Sequence, residues 1–260
     1  MLLSIKVGLT KLLSRLPFRD PRTVARDIPG VLDILFPRLS GGLVASLNKK
    51  MFQFSAIDAV PDVKVDGSTL QNSMLFELSV ARAEMLLGGH QQPDWNACLK
   101  TATDRQKRHF DAKLPAELSS EDIALAEWSA QNLLKMLSDT AQQYPQHELV
   151  RSPFIPGLGW ISSGVGDFSL GPILIEVKHT DRNFIAGDFR QILIYWLLRY
   201  AASIEQDGEV WTDCLLLNPR RNSALLINFD YLIRSASPNL SRLEVYELLR
   251  SIVGSGAEAQ

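Results

Sequence analysis

From residue 121 onward the chain alternates between helical and strand-like patterns, and their order restricts the folds open to it. Residues 121–139 and 187–204 carry apolar side chains at the spacing of amphipathic helices. Shorter apolar segments, bounded by Gly and Pro turns, predict strands at residues 147–155, 159–170, 172–179, 209–218 and 223–229. A last helix begins near Ser241 and runs to about Val253. The order α-β-β-β-α-β-β-α predicts an α/β domain over residues 115–253.

The preceding part of the chain, residues 1–114, follows a different pattern. Five prolines and the pair Gly41-Gly42 interrupt the first 65 residues and exclude long helices there. Thr69–Leu87 lacks both Gly and Pro, spaces its apolar residues as a helix does, and is followed by Gly88, a typical helix stop. We therefore expect a mainly helical N-terminal region, whose role the sequence leaves open. The last residues, 254–260, are small or polar and predict a disordered tail.

The composition excludes several classes of function. With 27 basic and 29 acidic residues, the chain has no global positive field that would attract nucleic acid or an anionic membrane. Lys6 and Lys11 interrupt the N-terminal apolar run, and no stretch approaches the roughly 20 apolar residues of a membrane span. Cys98 and Cys214 form no CxxC pair, and the chain has no Walker loop, GxSxG elbow or HExxH helix. We expect a cytoplasmic protein without a membrane segment.

Two segments have more than one interpretation. Residues 2–16 have a leucine-rich stripe that either packs against the rest of the protein or binds a partner or an interface. Residues 100–113 concentrate basic side chains that form either a solvated helix face or a patch contacting phosphates. The sequence favours the first interpretation in both cases.

Residues 172–179 carry the pattern that most directly predicts chemistry. In a strand, alternate residues share a face, so Glu176 and Lys178 point the same way while Ile175 and Val177 point the other. Asp167 stands at a turn nine positions before Glu176, and a hairpin would bring the two carboxylates together. Neighbouring carboxylates repel one another unless a cation lies between them, and their hard oxygens prefer Mg²⁺ or Mn²⁺ to zinc. The spacing therefore predicts a divalent cation site with an amine beside it.

Lys178 is set apart by what surrounds it in the sequence. After Lys135 it is the only lysine, although nine arginines follow between Arg151 and Arg250. A guanidinium cannot release a proton, whereas an ammonium can. We expect Lys178 to orient or deprotonate an attacking water.

These residues resemble the PD-(D/E)XK nuclease superfamily, in particular its RecB-type members. The segments Gly164–Asp167 and Glu176–Lys178 are similar to its catalytic motif, although Gly166 stands where proline is common. Gln191 and Tyr195 match the QxxxY pattern on the following helix. The resemblance covers about residues 118–230 and implies a restriction-endonuclease-like core, α-β-β-β-α-β, with a mixed central sheet flanked by helices.

The resemblance also implies a role for each residue of the motif. Asp167, Glu176 and the backbone carbonyl of Val177 would hold Mg²⁺ or Mn²⁺, and Lys178 would assist the water. Two further residues would line the cleft and position the substrate, namely Gln191 and Tyr195. An additional acidic ligand is expected on the preceding helix, where Glu127 is the first candidate and Glu121 the alternative.

The implied activity is hydrolysis of DNA phosphodiesters, in phage defence, restriction or DNA repair. Because the net charge is near zero, we expect binding to depend on a narrow cleft, on the metal, on a homodimer, or on a partner protein that delivers DNA. Two alternatives stay open: a catalytically silent protein of the same fold that binds DNA or acts as a scaffold, and a nuclease directed at RNA. In the simplest alternative, Asp167 only caps a turn, and Glu176 and Lys178 form a surface ion pair.

Overall fold

A computed structural model of the chain describes residues 18–61, 67–107, 112–206 and 208–254. Its N-terminal part contains short helices, as the prolines predict. The first three are 7, 7 and 8 residues long, and two longer helices follow them. These helices are α1 (Pro21–Asp27), α2 (Pro29–Leu35), α3 (Gly41–Asn48), α4 (Asn72–Leu87) and α5 (Trp95–Gln106). The leucine-rich segment at residues 2–16 and residues 255–260 of the predicted tail (254–260) lie outside the described residues.

Helix α6 spans Ser120–Gln143 and confirms the helix predicted at residues 121–139. It starts at a capping box, in which the Ser119 side chain accepts from the Asp122 N–H and the Asp122 carboxylate accepts from the Ser119 N–H. These two bonds satisfy the N–H groups of Ser119 and Asp122, which would otherwise lack a partner at the start of the helix. The predicted helix at 187–204 is α7 (Ala186–Gln206), and the last helix is α9 (Arg242–Val253), again with a capping box at Ser241.

The protein has an α/β architecture built on a mixed sheet of five strands in the order β1-β4-β5-β6-β7. These strands are β1 (Leu149–Arg151), β4 (Phe168–Leu170), β5 (Ile173–Val177), β6 (Asp213–Asn218) and β7 (Ser223–Asn228). Strands β5 and β6 are parallel, and the other neighbours are antiparallel. Helix α7 forms the long crossover connection that the parallel pair requires. In this strand order, β5 is the central strand of the sheet.

Two details of the predicted order are wrong. The predicted strands at 147–155 and 159–170 each divide in two, and β2 (Phe154–Ile155) pairs with β3 (Gly164–Val165) in a separate ribbon. The chain leaves β1 at Ser152, which has a positive φ of 50°, and Pro153 has no N–H to continue the ladder. An additional helix, α8 (Phe229–Ala236), begins directly after β7, where the Asn228 side chain accepts a hydrogen bond from the Tyr231 N–H.

The two faces of the sheet pack against different helices. Ile173, Ile175 and Val177 of β5 lie in one apolar cluster with residues of α4 and α6. Leu174 lies in another cluster with α7 and with the short helices α1–α3. The alternation predicted for this strand is thus confirmed, and Glu176 shares the face that is covered by α7. Among the described residues, no helix has both the length and the apolar character needed to cross a membrane.

Candidate active site

The carboxyl end of strand β5 places Glu176 inside the protein. Its side chain is completely buried, with 0% of its surface exposed. A buried carboxylate requires charged or hydrogen-bonding partners. The Oε1 atom of Glu176 accepts hydrogen bonds from the Lys178 ammonium, at 3.0 Å, and from the Gln191 amide. Glu176 and Lys178 therefore form a buried pair and not a surface ion pair.

Asp167 lies beside this pair because of the register of β4 and β5. Phe168 is paired with Ile175, which brings the preceding Asp167 opposite Glu176. The Oδ2 atom of Asp167 accepts a hydrogen bond of 2.8 Å from the Val177 N–H. The N–H and C=O of one strand residue project to the same side, so the Val177 carbonyl faces the side on which Asp167 lies.

Helix α7 contributes the other side of the cluster. The Gln191 Oε1 atom accepts from Lys178 at 2.7 Å, and the Gln191 amide also donates to the Tyr195 hydroxyl at 3.0 Å. The four-residue spacing places Gln191 and Tyr195 on one face of the helix. Gln191 lines the cleft described below, whereas Tyr195 is not among the described residues that line it. Tyr195 therefore supports the cluster but does not line the cleft as expected.

Arg22 is a further member of the cluster that the sequence did not predict. Its Nη2 atom lies 3.5 Å from Asp167 Oδ1 and 3.8 Å from Glu176 Oε1. Both carboxylates thus converge on one guanidinium nitrogen. Burial opposes the charge of Arg22, but the combined effect of Tyr195 and the two carboxylates raises its pKa above the ordinary value. No periodicity or motif marks Arg22, because it belongs to a short helix far from the motif in sequence.

The electrostatics of the cluster are dominated by Glu176. Burial, followed by the charge of Asp167, raises the pKa of Glu176 to about 7, although Lys178 and Arg22 oppose the shift. Burial and then Glu176 also raise the pKa of the Tyr195 phenol above its ordinary value. The Tyr195 side chain therefore acts as a neutral hydrogen-bonding group.

The donor atoms fit a divalent cation. Glu176 Oε2 is buried and has no hydrogen-bond partner among the described residues. An unpaired buried carboxylate oxygen costs free energy, so this atom favours a ligand. Together with Asp167 and the Val177 carbonyl it offers hard oxygen donors, which Mg²⁺ and Mn²⁺ prefer. Within the described ranges, no group of three or more His, Cys, Asp or Glu side chains could hold a metal. An ion here would complete its coordination with water or substrate oxygens.

The cluster opens into a cleft of about 460 Å³ between the end of β5 and the N-terminal helices. Its lining includes Glu176, Lys178 and Gln191 together with residues of α1, α4 and α5. Glu77 of α4 also lines the cleft, 3.5 Å from Arg105. Burial raises the pKa of Glu77, while Arg105 and Arg22 oppose the shift. In the sequence, Glu77 is an acidic residue among the apolar, buried positions of α4. This feature could have identified Glu77 as a candidate site residue.

Glu127, the expected additional ligand, is not among the described residues that line this cleft. It forms an ion pair of 2.7 Å with the buried Arg82. The alternative, Glu121, is exposed in the first turn of α6 and accepts from Ser120. Apolar residues occupy the face of α6 that packs on the sheet. Glu127 and Glu121 lie on other faces of the helix. The structure therefore does not bring either of them to Asp167 and Glu176.

Several other residues occupy structural positions within the protein. The buried His179 lies 2.9 Å from the Ser129 hydroxyl through its Nε2 atom, and burial lowers its pKa to about 4. Trp160 is buried in the core. In the basic segment at 100–113, Arg105 pairs with Glu84 and Lys107 with Asp104, while Arg108 lies outside the described residues.

Comparison with known proteins adds no family to this picture. No family model matches the chain, and neither a curated protein nor a solved structure shows significant similarity to it.

Proposed function

We propose that the chain is a Mg²⁺- or Mn²⁺-dependent nuclease of the PD-(D/E)XK type that hydrolyses DNA phosphodiester bonds. The observation that carries the proposal is the convergence of Asp167, Glu176 and Lys178 at one end of β5, with the buried Glu176 Oε2 left without a protein partner. The same proposal includes a restriction-endonuclease-like arrangement of α6, β1, β4, β5, α7 and β6.

The chemistry of these groups suits an attack of water on a phosphodiester. A divalent cation supplies charge neutralisation and activates water in such sites. Lys178 donates to Glu176 and Gln191, and an ammonium has three donors, so one N–H remains for a water or a phosphoryl oxygen. Its position in the cleft wall suits that role. In the reaction the water oxygen bonds to phosphorus and gives up a proton to the solvent, the bond to the leaving sugar oxygen breaks, and the leaving oxygen takes up a proton.

Arg22 adds a second positive group at the same place. A guanidinium beside two carboxylates can stabilise negative charge that develops on phosphoryl oxygens. Gln191 holds Lys178 and Glu176 in one geometry by bonding to both, which lowers the cost of ordering them for reaction. The biological settings consistent with such an activity are phage defence, restriction and DNA repair, with DNA delivered directly or by a partner protein.

The proposal is tested by incubating the purified full chain with labelled linear and supercoiled DNA in Mg²⁺, in Mn²⁺ and in EDTA. We expect cleavage only with a divalent cation and its loss in Asp167→Asn. Matched RNA substrates, in which the 2′-hydroxyl is the difference, distinguish a ribonuclease. DNA binding without cleavage under all metal conditions would identify the silent scaffold instead.

A further inference from the structure

The first helix contributes two arginines to the cleft. Arg22 and Arg26 are four residues apart on α1, and residues with this spacing are neighbours on one helix face. Both line the cleft. Arg22 reaches the carboxylates, whereas Arg26 is exposed at the end of α1. The pair therefore extends from the buried cluster towards solvent.

The charges of the cleft leave Arg26 unmatched. Among the cleft acids, Glu176 pairs with Lys178, Glu77 with Arg105, and Asp188 with Arg182 at 2.9 Å. Within the described part of the chain, Arg26 has no ion pair or side-chain hydrogen bond. A cation that faces a cleft without an acidic partner is available to an anionic ligand.

Arg22 also retains capacity for a ligand. A guanidinium has five N–H donors, and the two carboxylates contact only its Nη2 atom. Those contacts, at 3.5 and 3.8 Å, are longer than the usual 2.7–2.9 Å of a charge-assisted hydrogen bond. Tyr195 also interacts with Arg22 and helps to hold it in place. Arg22 is thus held in the cluster, and the two carboxylates do not use all of its N–H donors.

We propose that Arg22 and Arg26 form a subsite for consecutive backbone phosphates of the nucleic-acid strand, with Arg22 at the phosphate that is cut and Arg26 at its neighbour. The proposal rests on the nuclease function and adds the path of the substrate strand along α1. Side chains four residues apart on a helix are about 5–6 Å apart at Cβ, and two arginines at this distance can reach adjacent phosphates. Contacts of this kind position a strand without reading its sequence.

The test measures DNA binding in EDTA, where no cleavage occurs. Fluorescence anisotropy with a labelled 5′-hydroxyl oligonucleotide, single-stranded and duplex, gives Kd at several salt concentrations. We expect Arg26→Ala to raise Kd about fivefold and to reduce the slope of log Kd against log salt by about 0.7 for the single strand. Arg26→Lys should retain most of the slope because it keeps the charge. Arg250→Ala removes an exposed helical arginine outside the cleft and should behave as the unmodified protein.

The outcomes separate the subsite from the nuclease activity. If Arg26→Ala binds with the same Kd and slope as Arg250→Ala, the subsite is overturned, even where the unmodified chain cuts DNA. Failure of the unmodified chain to bind either DNA form overturns it as well. If Arg26→Ala raises Kd only for a 5′-phosphorylated oligonucleotide, then Arg26 binds a terminal phosphate and not a backbone phosphate. That result would overturn the proposed path. Arg26-dependent binding without metal-dependent cleavage would support the subsite and reject catalysis.

Discussion

The Val177 N–H donates a 2.8 Å hydrogen bond to Asp167 Oδ2, and this contact ties Asp167 to strand β5. It fixes the turn that carries Asp167 against the strand that carries Glu176 and Lys178. Because Val177 lies between these two residues, its backbone also determines how far Asp167 stands from each. The same carboxylate keeps Oδ1 directed towards Arg22, at 3.5 Å.

The first prediction concerns Lys178. Replacing it with alanine removes the donor that faces the cleft, and we expect DNA cleavage to fall by about 10²-fold or more, as for loss of a group that assists proton transfer. Lys178→Arg keeps the positive charge but cannot release a proton, so its activity should stay low. Single-turnover cleavage rates at saturating Mg²⁺ measure the effect. Lys135→Ala, which removes an exposed lysine of α6 paired with Asp139, is the control. Equal rates for Lys178→Ala and the unmodified chain would reject this role.

The second prediction concerns metal binding independently of turnover. Mg²⁺ or Mn²⁺ held by Asp167 and Glu176 should stabilise the folded protein, by about 2.7 kcal/mol at a concentration a hundred times Kd. Asp167→Asn removes the charge while its side-chain oxygen can still accept from the Val177 N–H. We expect Tm to rise with Mn²⁺ in the unmodified chain and to respond much less in Asp167→Asn. The same rise in both proteins would place the cation elsewhere.

A third prediction follows from the buried Glu176. Its pKa is raised from 4.5 to about 7, so the folded state binds a proton more tightly than the unfolded state between these values. The carboxylate therefore lowers the stability of the metal-free protein as pH rises through this window. Glu176→Gln removes this loss. The free energy of unfolding of the variant, relative to that of the unmodified chain, should therefore increase with rising pH by up to about 1.4 kcal/mol per pH unit inside the window. Urea unfolding in EDTA from pH 4.5 to 8 measures it, and a pH-independent difference would contradict it.

His179 should have the opposite effect. Burial and then the charge of Arg220 lower its pKa from 6.5 to about 4, so the unfolded state binds the proton more tightly in this range. Its contribution to stability is complete above pH 6.5 and is lost as pH falls towards 4. In His179→Gln, whose amide can still bond to the Ser129 hydroxyl, the acid-side loss should become smaller. Unfolding free energies at pH 4.5 and 7.5 test this, and an unchanged acid-side loss would exclude His179 as its source.

Local features of the site were accessible from the sequence. Strand alternation put Glu176 and Lys178 on one face, because successive side chains of any strand point to opposite sides. Helical spacing put Gln191 and Tyr195 together, since residues four apart are neighbours on a helix. The capping boxes at Ser119 and Ser241 set two helix starts by the same kind of local chemistry.

The tertiary structure decided which distant groups meet this local pattern. Arg22 and Glu77 reach the cleft because α1 packs on α7 and α4 packs beside α6, and neither contact has a periodic signal in the sequence. Glu127 lies in the first half of α6, but the rotation of that helix pairs it with Arg82 and leaves it outside the cleft. Backbone periodicity is a property of neighbouring residues, whereas the direction of a charged side chain into a shared cleft depends on how whole helices pack.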